Sequence, residues 1–185
     1  LLKKEFDIHR KQKTPHPLMD SYGIEAVPFE DKRMDEWREN FVGVQAFHKP
    51  TNFLVFGAVD DLWVNKEGEL IVVDYKATSK DGEVGLDAEW QDGYKRQMEV
   101  YQWLLKNNNF KVSNTGYFVY ANGKRDREAF DGKLEFDIKL ISYTGNTDWI
   151  EDTLQNMKTC LDGELPKSSP NCEYCKYVSE VSKLI

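Results

Sequence analysis

Four apolar residues in a row, Leu70-Ile71-Val72-Val73, run straight into the polar triplet Asp74-Tyr75-Lys76. A strand is apolar at successive positions only when both of its faces are covered. The stretch from Glu69 to Ala77 is therefore expected as a strand of an α/β or α+β sheet with layers on either side. The stretch before it, 53–65, also reads as extended. Between the two, Lys66-Glu67-Gly68 suits a three-residue hairpin loop, a type I turn ending on a left-handed glycine. If Asn65 pairs with Glu69, then Asp60 falls directly across from Asp74.

That register has chemical consequences. Directly opposed residues have Cβ atoms roughly 4.5–5.5 Å apart, and two carboxylates at ~5 Å repel by about 3 kcal/mol at an effective dielectric near 20. A divalent cation removes the repulsion, and oxygen ligands suit Mg²⁺ or Mn²⁺. Alternation puts Lys76 on the face of Asp74 and turns Asp61 and Tyr75 to the other. One face then presents Asp60, Asp74 and an ammonium, with the Tyr75 carbonyl as a further candidate ligand. Such a set suits phosphodiester hydrolysis, with the metal activating water and Lys76 positioning it or stabilising developing charge. The bland alternative is a surface hairpin with solvated charges.

Around this hairpin the periodicity predicts a helix over 1–13, with Leu2, Phe6 and His9 on one stripe. An irregular segment with three prolines follows over 14–32, and then a short helix near 33–41. Extended stretches are expected at 42–48 and 53–65, a long helix at 89–107, strands at 114–121 and 133–142, and a helix at 147–162. On the long helix Trp90, Tyr94, Gln97, Met98, Tyr101 and Leu105 form one stripe, which reads as a core face apart from Gln97. A buried amide must find partners or cost about 1–3 kcal/mol. Gln97 is thus either a satisfied core glutamine beside Tyr101 or a site residue. Lys95 and Arg96 are available to backbone phosphates, or are solvated surface charges.

The stretches Gly57-Ala58-Val59-Asp60-Asp61, Val72-Val73-Asp74-Tyr75-Lys76 and Gln97-Met98-Glu99-Val100-Tyr101 resemble three ordered motifs of the PD-(D/E)xK nuclease superfamily. Specifically, they resemble those of its RecB-like branch, which is related to the CRISPR-adaptation nucleases. The resemblance implies a restriction-endonuclease-like α/β core, a central mixed β-sheet flanked by helices. It implies DNA cleavage that requires Mg²⁺ or Mn²⁺, and it favours Gln97 and Tyr101 as supports of the site that touch the DNA strand. It also implies an acidic metal ligand on the first helix, for which Glu5 is the candidate and an ordinary surface carboxylate the alternative. The branch's histidine would lie upstream of Glu5; neither His9 nor His48 matches it.

Cys172 and Cys175, after Pro170, resemble the cysteine knuckle of iron–sulfur members of that branch, although Val181 stands where the last thiolate is expected. Cys160 would supply a third ligand at unusual spacing, for an Fe–S cluster or zinc. The alternative is a set of unliganded thiols. The three cysteines, an odd number, together with the lack of an export signal, point to a reducing, cytoplasmic setting.

The 185 residues favour one nuclease domain, with 160–185 as a cysteine-containing tail. The opening Leu1-Leu2-Lys3-Lys4 lies already inside an amphipathic pattern, so a preceding segment is expected. The net charge of −7 argues mildly against coating nucleic acid by bulk electrostatics, although local basic clusters persist at Arg10-Lys11-Lys13 and Lys124-Arg125-Arg127. The expected activity is a metal-dependent deoxyribonuclease, with exonuclease action suggested by analogy. Its rivals are a catalytically silent DNA-binding or scaffold domain of a repair, phage or CRISPR complex, and an RNA-processing nuclease.

Overall fold

The apolar strand lies where its sequence demands, at the middle of a five-stranded mixed sheet. The computed structural model describes residues 1–129 and 131–184. Helices α1 (Leu2–Gln12) and α2 (Pro17–Ser21) come first, then β1 (Ala26–Pro28), the single turn α3 (Met34–Trp37), β2 (Val44–His48) and β3 (Phe53–Gly57). Strands β4 (Asp61–Asn65) and β5 (Leu70–Thr78) form the expected hairpin. A 3-10 turn (Glu89–Gln91) leads into α4 (Asp92–Asn107), followed by β6 (Thr115–Gly123), β7 (Phe136–Thr144), α5 (Trp149–Asp162) and α6 (Glu173–Val181). The chain divides into two compact units, Leu1–Ile150 and a second from Glu151 onward. No helix among the described residues is long and apolar enough to cross a membrane.

The hairpin register matches its expectation. Val64 pairs with Leu70 and Asp61 with Val73, while the Asn65 amide donates to the Glu69 carbonyl at 3.1 Å. Gly68 takes φ +75°, the left-handed conformation its loop requires. β5 then pairs in parallel with β6, and β6 antiparallel with β7. A parallel neighbour needs a long crossover, and α4 supplies it.

Three expectations about elements are corrected. The stretch 53–65 is two strands, because β3 leaves to pair with β2 in a separate two-stranded sheet. The stretch 14–32 is not irregular throughout: it contains α2 and β1, and β1 pairs antiparallel with β4 despite the proline at its end. A proline costs least on an edge strand, where its missing N–H faces no neighbour. The tail carries a further helix, α6, which prolines upstream of it concealed.

Each face of the sheet is covered, as the run Leu70–Val73 requires. On one face Phe6 of α1 and Met19 of α2 pack against Trp63, Ile71, Val73 and Val119, all nearly solvent-free. The Phe6 ring stacks against Trp63 at 5.4 Å between centroids. On the other face lie Leu62, Val72 and Phe118, with Met98 of α4 in contact range of Gly116.

Beneath the first face runs a buried ion cluster. Asp61 is fully buried and accepts from Arg10, from Arg38 Nη2 at 2.9 Å and from the Tyr75 hydroxyl at 2.7 Å. Asp7 closes the network, 2.9 Å from Arg38 and 3.2 Å from Arg10. Burial pushes the Asp7 carboxyl up, but the hydrogen bonds and charges of Arg38 and Arg10 outweigh it and hold the group below its ordinary range. Arg10 is therefore no part of a solvent-facing basic cluster; it ties α1 to β4.

Removing one partner of a buried ion pair strands the other, at a cost of about 3–5 kcal/mol. Asp61→Ala is expected to lose that much stability in urea or thermal unfolding, with Arg38→Met losing less because Arg10 still faces Asp61. The Asp7 contribution is present above its unfolded pKa of 3.8 and is lost as pH falls through the lower folded value. Acid titration of Asp7→Asn should therefore flatten the stability profile in that range.

Candidate active site

The point where β3 parts from β4 makes the site. The chain turns through Ala58, Val59 and Asp60, and the Val59 amide donates to the Trp37 carbonyl at 3.0 Å to hold the turn. Asp60 stands one step past the last ladder pair, Asp61 with Val73, which brings it beside Asp74. Its Oδ2 accepts the Tyr75 amide N–H at 2.9 Å. A side-chain oxygen thus takes the place of the main-chain acceptor that the departing strand withdraws.

Asp74 is 4% exposed. Burial raises its pKa; Lys76 beside it lowers it, Asp60 raises it again and Lys3 lowers it, with a net upward shift. Its Oδ2 lies 2.6 Å from Lys76 Nζ, yet among the described residues no donor aligned for a hydrogen bond reaches that buried oxygen. Lys76 Nζ also donates to Gln97 Oε1 at 3.4 Å and sits 4.0 Å from the centroid of the Tyr94 ring. Tyr101 shares a hydrogen bond with Gln97, and burial followed by the charges of Asp74 and Asp60 pushes its hydroxyl up to about 12. It stays protonated at neutral pH and remains a donor.

These groups meet in one cleft of about 400 Å³, lined by Asp60, Asp74, Lys76, Gln97 and Tyr101 together with Asn40, Phe41, Phe56 and Ala58. The hairpin β2–β3 packs on α4 to form one wall. That approach needs Gly57, since a Cβ there would lie 2.6 Å from Tyr101 Cε1. The glycine of the first motif therefore clears space for the tyrosine of the third.

Five sequence candidates are thus gathered, and others are not. Glu5 is exposed and points toward His16, 3.7 Å away. From the same helix it is Lys3 that reaches the site, 2.6 Å from Asp60 Oδ1. Lys95 pairs with Asp92 at 3.0 Å and lines a different hollow with Lys139 and Tyr143. Arg96 is exposed on α4 and is not among the residues lining the cleft. Trp90 and Tyr94 do not join the core stripe: Trp90 is exposed, and Tyr94 lies under the Lys76 ammonium. His48 is buried against Thr51, and His9 meets Thr14, so both histidines lie outside the site. Sequence reasoning missed Lys3, Tyr94, Asn40 and Phe41. Only Tyr94 had a signal, since its stripe also carries Gln97 and Tyr101.

The donor set fits a hard divalent cation. Two carboxylates, one in the turn before β4 and one on β5 with a buried oxygen lacking an aligned donor, leave positions for water, which suits Mg²⁺ in particular. The cysteines show no assembled set of ligands among the described residues. All three thiols are free, Cys172 Sγ accepts the Cys175 amide N–H at 3.4 Å, and no group of three or more potential metal ligands is gathered among the described residues.

Two carboxylates and a lysine thus meet where β5, antiparallel to β4, pairs in parallel with β6, and such a set suits phosphodiester cleavage. The family model of the PD-(D/E)XK nuclease superfamily matches residues 7–179, and the chain belongs to that superfamily. No curated protein and no solved structure matches it in the corresponding comparisons.

Gly57→Ala should force Tyr101 away from the cleft. Overpacking of this kind costs about 1–3 kcal/mol, and nuclease activity should fall further than thermal stability does. Paired unfolding and activity measurements check that split.

Proposed function

We propose that the protein is a metal-dependent deoxyribonuclease. The observation that carries this reading is the buried Asp74 oxygen without an aligned donor, set beside Asp60 and Lys76 in an open cleft. Asp60, Asp74 and the Tyr75 carbonyl would hold Mg²⁺ or Mn²⁺. When bound, the cation supplies Lewis-acid polarisation of the phosphate and a lowered pKa for water.

The chain's own residues do the rest. The Lys76 ammonium, fixed between Asp74, Gln97 and the Tyr94 ring, faces the place where negative charge develops on the phosphate. Tyr101, kept protonated, donates to a non-bridging oxygen, while Gln97 holds both Tyr101 and Lys76 in place. In-line attack by water would leave a 5′-phosphate and a 3′-hydroxyl. The order of the three motifs supports the RecB-like branch, and with it end-dependent exonuclease action, by analogy alone. Lys95 and Arg96 could reach backbone phosphates only outside the cleft. Residues 1–185 as one nuclease domain with a cysteine tail remain part of this reading.

Purified protein should degrade linear DNA with Mn²⁺ or Mg²⁺ and not with EDTA. Asp74→Ala and Lys76→Ala should each slow cleavage by about a hundredfold or more, and only Asp74→Ala should also weaken Mn²⁺ binding in calorimetry. Metal-loaded protein that cuts neither single- nor double-stranded DNA would sink the enzyme reading in favour of a silent DNA-binding domain. Preferential cutting of RNA would favour an RNA-processing enzyme.

A further inference from the structure

The segment Cys172-Glu173-Tyr174-Cys175 takes no part in the nuclease reading. It lies in the second compact unit, at the start of α6. Cys172 is the N-cap of that nine-residue helix, in an extended conformation with φ −78° and ψ 104°, and Cys175 follows one turn later. The Cys172 amide donates to the Ser169 carbonyl at 3.0 Å, and the Cys172 carbonyl accepts the Lys176 amide N–H at 3.0 Å. With the main chain held on both sides, the Cys172 sulfur folds over the first turn of the helix. There it accepts the Cys175 amide N–H at 3.4 Å, and the Cys175 thiol donates to it as well.

A sulfur that accepts N–H groups at a helix start is stabilised as the thiolate. The Cys175 amide, then the Cys175 thiol and the Tyr174 amide, hold Cys172 below the ordinary thiol range. The same contact acts in reverse on Cys175, whose thiol gives the hydrogen bond to Cys172 and is pushed up. The pair thus couples an attacking sulfur to a second thiol within its reach. Solvent reaches both, since Cys175 is exposed and Cys172 partly so. Residues three apart on a helix have Cβ atoms about 5–6 Å apart, and a disulfide brings them to about 4 Å. Cys172, outside the helix proper, can close that gap. A metal asks for more: structural zinc takes about four ligands, and no group of three or more is gathered among the described residues.

We infer that Cys172 and Cys175 form a redox-active dithiol, oxidised reversibly by low-molecular-weight disulfides such as oxidised glutathione. The Cys172 thiolate attacks one sulfur of RS–SR, forming a mixed disulfide and expelling RS⁻, which takes a proton from solvent. Cys175 then gives up its proton and attacks Cys172 Sγ, and the second RS⁻ leaves and is protonated. Two protein thiols lose two electrons, and RS–SR gains them as two RSH. An exposed bond of this kind is labile, which suits a reversible modification and not a permanent staple.

The test treats the reduced full chain with oxidised glutathione and reads the products by peptide mass spectrometry without reductant. The wild type should give the Cys172–Cys175 disulfide, leave Cys160 free, and revert in excess reduced glutathione. Cys175→Ser should stop at a glutathione adduct on Cys172. Cys172→Ser should form an adduct about tenfold more slowly; serine is itself a good N-cap, so α6 keeps its start. Equal adduct formation in the two variants overturns the inference, as does a disulfide that includes Cys160. So does zinc or iron retained by the purified chain with both thiols unreactive. DNA cleavage plays no part in this readout, so its failure leaves the inference untouched.

Discussion

Two carboxylates face each other where β4 gives out, and much of the structure exists to hold them there. The β4–β5 register opposes Asp60 to Asp74 one step beyond the Asp61–Val73 pair. Left alone, such a pair would splay the strand ends. Three features prevent that. The Tyr75 amide is bound to Asp60 Oδ2, lysines neutralise each carboxylate, and the next residue along, Asp61, is locked on the opposite face by Arg10, Arg38 and Tyr75. The adjacent aspartates thus divide the labour. Asp61 anchors the strand, and Asp60, pointing the other way, lines the cleft.

The same anchoring explains how distant segments reach the site. Arg38 follows α3, and the Trp37 carbonyl beside it receives the Val59 amide. The segment that docks on Asp61 therefore also fixes the turn carrying Asp60. Beyond that turn, β3 crosses to β2, and Gly57 lets the hairpin settle against Tyr101. Sheet, hairpin and α4 are coupled through contacts within a few residues of Asp60. A long insertion between β3 and β4 would be poorly tolerated, although each strand alone is short.

How much of this was legible in the sequence follows from the range of the interactions. The apolar run Leu70–Val73, the turn glycine Gly68 and the alternation around Asp74 are local, and they yielded the hairpin, its register and the faces of Asp60, Lys76 and Asp61. The break at Ala58–Asp60 was not legible, because β3 and β4 read as one continuous apolar-rich stretch and only pairing with β2 separates them. Glu5 is the sequence candidate because the family resemblance implies an acidic ligand on the first helix. The rotation of that helix, however, is set by Phe6 stacking on Trp63 and by Arg10 reaching Asp61, both long-range contacts. That rotation turns Glu5 outward and brings Lys3 to Asp60. Trp90 and Tyr94 were expected in the core because they share a period with Met98 and Leu105. Trp90 lies instead on the 3-10 turn before α4, and Tyr94 sits under the Lys76 ammonium, so period alone could not place them.

The two lysines at the site differ in a way that bears on how it works. Lys76 and Asp74 have side chains only 17% and 5% exposed, and the ammonium has further anchors in Gln97 and the Tyr94 ring. Lys3 and Asp60 are 47% and 29% exposed, and Lys3 stands in the first turn of α1. Solvent and salt screen the second pair, which places it in the range of about 0–1 kcal/mol, whereas the first is held in a lower local dielectric. Asp60 can therefore exchange its lysine for another cation at little cost, while Lys76 stays where it is. A site that keeps one ammonium fixed and the other replaceable can fold without metal and still admit one. This is the arrangement expected if Lys76 acts on the phosphate and Lys3 only shields Asp60 until a cation arrives.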